Sequence, residues 1–292
     1  MSDGCTLCPR MCGAVRTEEK GSGFCRMGTA PVVARAALHR WEEPCISGTR
    51  GSGAVFFAGC TLACRFCQNY ELSRGRLGKT VTPQRLSEIF RELEGEGAHN
   101  INLVTGTQFV PAILNALERY KPAVPIVWNC GGYERAETVR MLRDAVDIWL
   151  PDMKYWDGKM AGLLSGAPDY PERAKEAITE MVRISGAPVY DEAGMMKTGV
   201  LVRHLVLPGL TADAMRILDW IAETMPGVPV SLMGQYVPCG EAAGISGMNR
   251  RLTAREYSRV LRHMEDLGLP GYRQEHESAS AAFIPAFDGT GV

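Results

Sequence analysis

From Gly53 onward, short apolar runs alternate with stretches whose apolar residues recur at helical spacing. The runs are AVFF (54–57), INLV (101–104), PIVW (125–128), VDIWL (146–150), VLVRHLVL (200–207) and VPVSLM (228–233). Each has the length and β-branched or aromatic content of a buried strand. The first helical stretch starts at Thr82 with Pro83 in its first turn, carries Leu86, Ile89, Phe90 and Leu93 on one face, and ends at Gly95 or Gly97. Val110, Ile113, Leu114 and Leu117 mark the second, Val139 and Leu142 the third, and Ala174, Ile178, Met181 and Val182 a fourth near 171–185. Thr211 is the expected cap of a fifth, with Met215, Leu218 and Ile221. Thr253 and Glu256 form a capping-box pair that opens the last, with Tyr257, Val260, Leu261, Met264 and Leu267.

Six strand–helix units with short connections imply parallel strands joined by crossover helices. Two architectures satisfy this, an open doubly wound sheet and a partial (β/α) barrel. In both, the functional loops lie at the C-terminal ends of the strands. The expected organisation is a Cys-rich N-terminal extension over 1–52 with a metal site, a barrel over 53–270, and a tail over 271–292 that the pattern does not place.

Composition narrows the function. The 292 residues are 46% hydrophobic and the formal net charge is −1. That balance gives no electrostatic reason for a nucleic acid or an anionic membrane as partner. No apolar run approaches the ~20 residues of a membrane span, and MSDGCTLCPR at the N-terminus has no apolar signal core, so the expected location is cytoplasmic. Seven of the ten cysteines fall in two tight groups within the first 67 residues. In a reducing compartment, clustered cysteines bind metal or do chemistry more often than they form disulfides.

The second group follows the first strand, in GCTLACRFCQN (59–69), with Cys60, Cys64 and Cys67 spaced Cys-x3-Cys-x2-Cys. Three thiolates on one loop suit three irons of a [4Fe–4S] cubane and leave the fourth iron open. An open iron can chelate the amino and carboxylate groups of S-adenosylmethionine (SAM). An electron from the reduced cluster then breaks a C–S bond and yields a 5′-deoxyadenosyl radical able to abstract hydrogen. The competing reading is a zinc knuckle or a set of structural thiols, although three cysteines do not close a structural zinc site. The first group, Cys5, Cys8, Cys12 and Cys25, offers four thiolates for a closed site. Zn²⁺ and a second, fully ligated [4Fe–4S] cluster both fit. A cluster would relay electrons, zinc would fold the extension, and unligated thiols are the plain alternative.

The Cys60–Cys67 stretch, with Phe66 just before its last cysteine, resembles the radical SAM superfamily signature. HRWEEPCISGTRGSGAVFFAGC (39–60), INLVTGTQF (101–109), VDIWLPDMKY (146–155), VRHLVLPG (202–209) and SLMGQY (231–236) resemble an uncharacterised branch similar to pyruvate formate-lyase-activating enzyme. The resemblance implies a partial (β/α)6 barrel. It also implies that Asp152 and Lys154 act as an Asp-x-Lys pair contacting SAM. Asn129 in WNCGGY stands where related DTNG-like segments place an Asp near the SAM carboxylate, and it lacks that charge. Gln235 and Tyr236 are expected on the adenine side. The superfamily's Gly-Gly-Glu-type segment is replaced here by VTGTQF (104–109), where Thr105 or Thr107 stands in through hydroxyl or backbone.

Each of these positions has a bland alternative: a solvated ion pair, a turn, or packing. One of Arg203 and His204 is expected to face the barrel interior, because strand neighbours point to opposite faces. Glu42 and Glu43 face either substrate or solvent. Cys45, Cys130 and Cys239 read as small buried residues, with Cys130 a weak candidate for a hydrogen-atom donor. His276 and Glu277 in the tail read as surface residues. Three functions compete: a radical SAM enzyme acting on a small molecule or peptide, an activase installing a glycyl radical on a partner protein, and a non-catalytic Fe–S or zinc module. Either enzyme needs a low-potential electron donor.

Overall fold

A computed structural model describes residues 4–274 and 285–292. His276 and Glu277 lie outside the described residues. The strands are β1 (Val32–His39), β2 (Ser52–Phe57), β3 (Lys79–Thr80), β4 (Ile101–Val104), β5 (Ile126–Cys130), β6 (Ile148–Pro151), β7 (Val189–Tyr190), β8 (Met196–Val200), β9 (Val202–Leu205), β10 (Val230–Met233) and β11 (Gly271–Arg273). The helices are α1 (Pro44–Ser47), α2 (Tyr70–Ser73), α3 (Pro83–Gly95), α4 (Val110–Arg119), α5 (Ala136–Met141), α6 (Gly158–Ser165), α7 (Tyr170–Ser185), α8 (Thr211–Thr224) and α9 (Ala254–Asp266).

Strands β2, β4, β5, β6 and β8 run parallel in that spatial order. The apolar run 200–207 is not one strand. It breaks at Leu201 into β8 and β9, and both halves stay on β6: the Leu201 amide donates to Trp149 O (2.9 Å) and the Met153 amide to Arg203 O (2.8 Å). β9 then pairs in parallel with β10. Counting the broken strand once, six parallel strands curve into the expected partial barrel. Strand pairing takes up backbone groups that a sequence pattern cannot assign, so the break at Leu201, between apolar neighbours, was invisible in the sequence.

The N-terminal extension is part of the sheet. β1 pairs antiparallel with β2 and closes that edge of the sheet. β3 covers Val32 and Val33 on the far side of β1, and the C-terminal residues return to the same strand, with Ala36 N donating to Thr290 O (2.9 Å). At the other edge β11, the start of the unplaced tail, pairs in parallel with β10. Both exposed edges of the barrel arc are thus covered by terminal segments, which removes sites for unwanted strand pairing.

Caps follow the sequence with one difference. Thr82 accepts from Arg85 N, and Thr253 with Glu256 forms the capping box of α9. Thr211 is instead the first helical residue of α8, with Leu210 in the cap position. Glu256 also takes the Gly209 amide (2.8 Å) and the Arg250 guanidinium (2.7 Å), and these partners hold its carboxyl below the ordinary range. Glu256→Ala is expected to cost about 1 kcal/mol, typical of a lost cap. The loss should be present at pH 7 and shrink below pH ~4, where the unfolded Glu takes up a proton that the folded carboxylate does not. Urea melts at the two pH values check it.

The barrel interior is layered. At the bottom α1 acts as a plug: Cys45 and Ile46 pack with Val127, Ile148, Leu150, Met196 and Leu201. A polar layer lies above it. Among the described residues, no helix is long and apolar enough to cross a membrane.

Candidate active site

The Cys60–Cys67 loop leaves the end of β2 in a tight turn, with Gly59 at φ +76° and Ala63 at φ +50°. The amides of Leu62 and Ala63 point at Cys60 Sγ (3.4 Å each), and Ser165 Oγ donates to Cys64 Sγ (3.1 Å). Burial, then repulsion from Cys64 and Cys60, pushes the Cys67 thiol up to about 12. Burial and Cys64 push Cys60 up as well. Lys154 opposes both shifts. Buried thiols that repel each other need a strong positive centre to exist as thiolates. Among the described residues no three His, Cys, Asp or Glu side chains converge as ligands of one ion. A cubane does not require that, since each thiolate takes its own iron. Three thiols within electrostatic reach, with hydrogen bonds aimed at sulfur, fit a cluster with one corner unligated by protein.

The first cysteine group docks on this loop. Cys8 feels Cys25 and Cys5, and Cys25 feels Cys5 and Cys12, so the four form one group. Arg10 ties the group to the signature loop by donating to Thr61 O (3.0 Å) and to the end of α6 by donating to Ser165 O (2.9 Å) and Gly166 O (2.5 Å). Arg16 reaches Gln108 O (2.6 Å) and Cys5 Sγ (3.7 Å). A Cβ on Gly59 would lie 2.5 Å from Met27 Cγ and 3.0 Å from Cys25 O, in a backbone conformation that disfavours any side chain. Gly59→Ala is therefore expected to undock residues 5–30. Limited proteolysis should cut that segment at least tenfold faster than in the wild type, and an unchanged rate would remove the docking argument.

Inside the barrel the polar side chains of five elements meet. Arg203, from β9, donates through Nε to Asp152 (2.9 Å), through Nη1 to Glu42 (3.1 Å) and through Nη2 to Asn129 (2.5 Å). Glu42 also accepts from Asn102 (3.2 Å) and Asn129 (3.1 Å). Asp152 bonds Lys154 as well. Burial alone would raise the Asp152 carboxyl, but Arg203 and Lys154 hold it below its ordinary value. Burial works against the charge on Lys154, and Asp152 outweighs it. Tyr170 fixes the Asp-x-Lys turn: its hydroxyl donates to Asp152 O (2.7 Å) and accepts the Lys154 amide (2.9 Å). Glu43 is buried beside this layer, and burial raises its carboxyl against the pull of Arg203.

The remaining candidates surround this layer. Phe66 is buried against Tyr155 and Tyr236, with ring centroids 6.4 and 5.9 Å away. Gln235 is half-buried and its amide contacts Met233 Sδ at 3.9 Å. Thr105 sits at φ +61°, and its amide donates to Asn129 O (2.8 Å). Gln108 staples this turn to the end of β2 through Ala58 O (2.9 Å) and Thr105 O (2.8 Å). Thr107 turns to a fully buried acid instead, donating to Glu134 (2.6 Å), whose carboxyl burial pushes up to about 8. Cys130 lies beside Glu134 in the core outside the barrel, on the opposite face of β5 from Asn129. Its thiol therefore does not face the interior that the hydrogen-donor reading requires.

Arg203 resolves the β9 alternative. It enters the barrel, while His204 faces outward and contacts Met153 O through Nδ1 (2.6 Å). Asn102 and Glu134 were missed in sequence. Asn102 sits in the apolar run INLV, where one amide among aliphatics was the available signal. Glu134, two residues after the Gly131–Gly132 pair, looks like loop surface.

A sequence model of the radical SAM superfamily matches residues 54–221, more than half of the chain. An uncharacterized protein of Methanocaldococcus jannaschii is 28% identical over 275 residues, covering 91% of this chain and 75% of that one. Among solved structures, a radical SAM methyltransferase from Sphaerobacter thermophilus superposes with a TM-score of 0.50 at 14% identity, over 79% of this chain and 69% of that one. Native anSMEcpe with bound AdoMet and Cp18Cys peptide also gives 0.50, at 12% identity, over 74% of this chain and 60% of that one. This chain thus spans about three fifths of that protein, and the likeness is one of fold.

Proposed function

This chain belongs to the radical SAM superfamily, and from that premise we propose that Cys60, Cys64 and Cys67 hold its [4Fe–4S] cluster above a barrel interior that receives a small-molecule or peptide substrate. Bound there, the cluster would supply the one-electron reduction of SAM on which hydrogen abstraction from a substrate C–H bond depends.

The chain's own residues do the rest. Lys154, kept charged by Asp152, lies within electrostatic reach of Cys64 and receives the SAM carboxylate by a charge-assisted bond. Asn129 holds Arg203 and Glu42 in place at that rim. The rings of Phe66, Tyr155 and Tyr236 exclude water, and Gln235 offers its carboxamide to the adenine edge. Thr105, on its left-handed turn, presents polar backbone to the SAM amino group. Cys5, Cys8, Cys12 and Cys25 hold a second metal centre, a [4Fe–4S] cluster in preference to zinc. A redox centre clamped by Arg10 to the signature loop gives an external low-potential donor a route inward.

The observation that carries this reading is a three-cysteine loop over a barrel whose interior holds a buried network of charged and carboxamide side chains. The alternative is an activase that installs a glycyl radical on a partner protein, and the polar groups that converge inside the barrel favour the first reading over it. Anaerobic reconstitution with iron and sulfide, then reduction with SAM present, tests the proposal. We expect about eight irons per chain for two clusters, and formation of 5′-deoxyadenosine. Deuterium should reach it from the metabolite fraction of a labelled extract. Transfer from the protein fraction alone would favour the activase, and about four irons with one zinc would refute the second cluster.

A further inference from the structure

The two halves of the cysteine loop are held by different parts of the chain. The first half is tied to the N-terminal extension, through Arg10 on Thr61 O (3.0 Å). The second half lies between α6, where Leu164 O accepts the Arg65 amide (2.8 Å), and the loop of residues 234–253 that joins β10 to α9. Glu241 makes the second contact. Its amide donates to Arg65 O (2.7 Å), and one carboxylate oxygen accepts from Arg65 Nε (2.8 Å). The other oxygen accepts from the Tyr70 hydroxyl (2.7 Å) and from Arg74 (3.4 Å), which begin and cap α2. Arg65 and Tyr70 stand on either side of Cys67 in the chain, so one carboxylate fixes both ends of the segment that carries this thiol. The approach is close. Gly240 has a left-handed φ of +55°, and a Cβ there would lie 2.4 Å from Tyr70 Cδ2 and 2.7 Å from Arg65 O.

The Arg65 and Glu241 side chains are 36% and 43% exposed. An ion pair that open to water adds little to global stability. What it does restrict is the movement of the two segments against each other. The same β10–α9 loop carries Gln235 and Tyr236, and the Tyr236 ring packs on Phe66 of the cysteine loop with centroids 5.9 Å apart. The anchor at Glu241 therefore governs how far the adenine side of the site stands from the three thiols.

We propose that Glu241 is a positioning residue for SAM, joining the β10–α9 loop to the cysteine loop so that the two ends of the SAM site keep a fixed spacing. It acts through Arg65 and Tyr70. A ligand that bridges two segments binds more weakly when those segments move independently, because binding must then also order them. The inference deepens the radical SAM reading and rests on it.

SAM binding tests it. The reconstituted full chain, with no reductant, is titrated calorimetrically with SAM as wild type, Glu241→Ala, Arg65→Met and the double variant. Glu241→Ala should bind SAM about tenfold more weakly. In 5′-deoxyadenosine formation its KM for SAM should rise by the same factor, with kcat within about twofold of the wild type. The double variant should bind no more weakly than Glu241→Ala, since Arg65→Met removes part of the same link. Before reconstitution, amides of residues 64–70 and 235–241 should exchange hydrogen about fivefold faster in Glu241→Ala. Iron content and Tm should match the wild type. Should Glu241→Ala lose iron or melt early, Glu241→Gln, which keeps the shape and still accepts one donor, decides instead, with SAM bound about threefold more weakly. Unchanged SAM affinity overturns the proposal, as does a fall in kcat at constant KM, or additive losses in the double variant. A wild type that neither binds nor cleaves SAM refutes the radical SAM site itself, and the positioning role with it. A wild type that does both, with variants that bind equally well, refutes the positioning role alone.

Discussion

Cys64→Ala is expected to reduce 5′-deoxyadenosine formation to background and to remove about four irons per chain from the reconstituted protein. The three thiols of the loop are not equivalent. Cys64 is buried, accepts from Ser165, and lies within reach of Lys154. Two thiolates do not retain a cubane that is already short of one protein ligand, so the loss should be total rather than graded. The variant should stay folded, because alanine in that turn keeps the apolar contacts and removes a group whose ionised form is costly when buried. Iron analysis, visible absorbance and product assay together decide it. A variant that kept its iron and cleaved SAM at the normal rate would end the assignment of this loop.

Removing Arg203 should have the largest effect on stability. Arg203→Met leaves Glu42 and Asp152 buried without their shared cation, with only Lys154 still on Asp152. Breaking one partner out of a buried ion network costs about 3–5 kcal/mol, which for a chain of this size lowers Tm by about 10 °C. Adding Glu42→Gln to Arg203→Met removes one stranded charge while keeping the side chain's shape, and should recover about half of the loss. The wild type should also lose stability as pH falls below ~4, the ordinary Asp value. The Asp152 carboxyl is depressed in the folded state, so its contribution is present above that pH and disappears on acidification. In Arg203→Met that acid-side slope should flatten. Thermal melts across pH 3–7 read both effects, and a single-variant cost under ~1 kcal/mol would show the network to be dispensable.

Local chemistry carried far in this chain. The Cys-x3-Cys-x2-Cys spacing, the Thr253–Glu256 capping box and the alternation of apolar runs with helical stretches depend on residues close in sequence, where spacing alone fixes geometry. The cysteine loop, five of the six parallel strands and the parallel class of the sheet were legible for that reason, while the Asp-x-Lys turn came from the resemblance to a known family. The edges were not. β1 lies in an extension read as Cys-rich and separate, because its pairing with β2 spends backbone groups that no side-chain pattern reports.

The interior network shows the same division. Arg203 was one of two residues on a strand that alternation sends to opposite faces, and sequence could say only that one of them entered the barrel. Glu42 stood in a loop among charged neighbours, where solvation was the ordinary expectation. What brings Glu42, Asn102, Asn129, Asp152 and Arg203 within hydrogen-bond reach is the curvature of a sheet that closes residues 161 positions apart onto one point. Spacing and propensity alone were enough for the cysteine loop, the caps at Thr82 and Thr253 and the parallel strand–helix repeat, since each is a short-range matter. Only the tertiary structure decided what faces the substrate space and how the N-terminal cysteines sit on the signature loop, because those contacts arise when distant segments are packed together and their buried charges have to find partners.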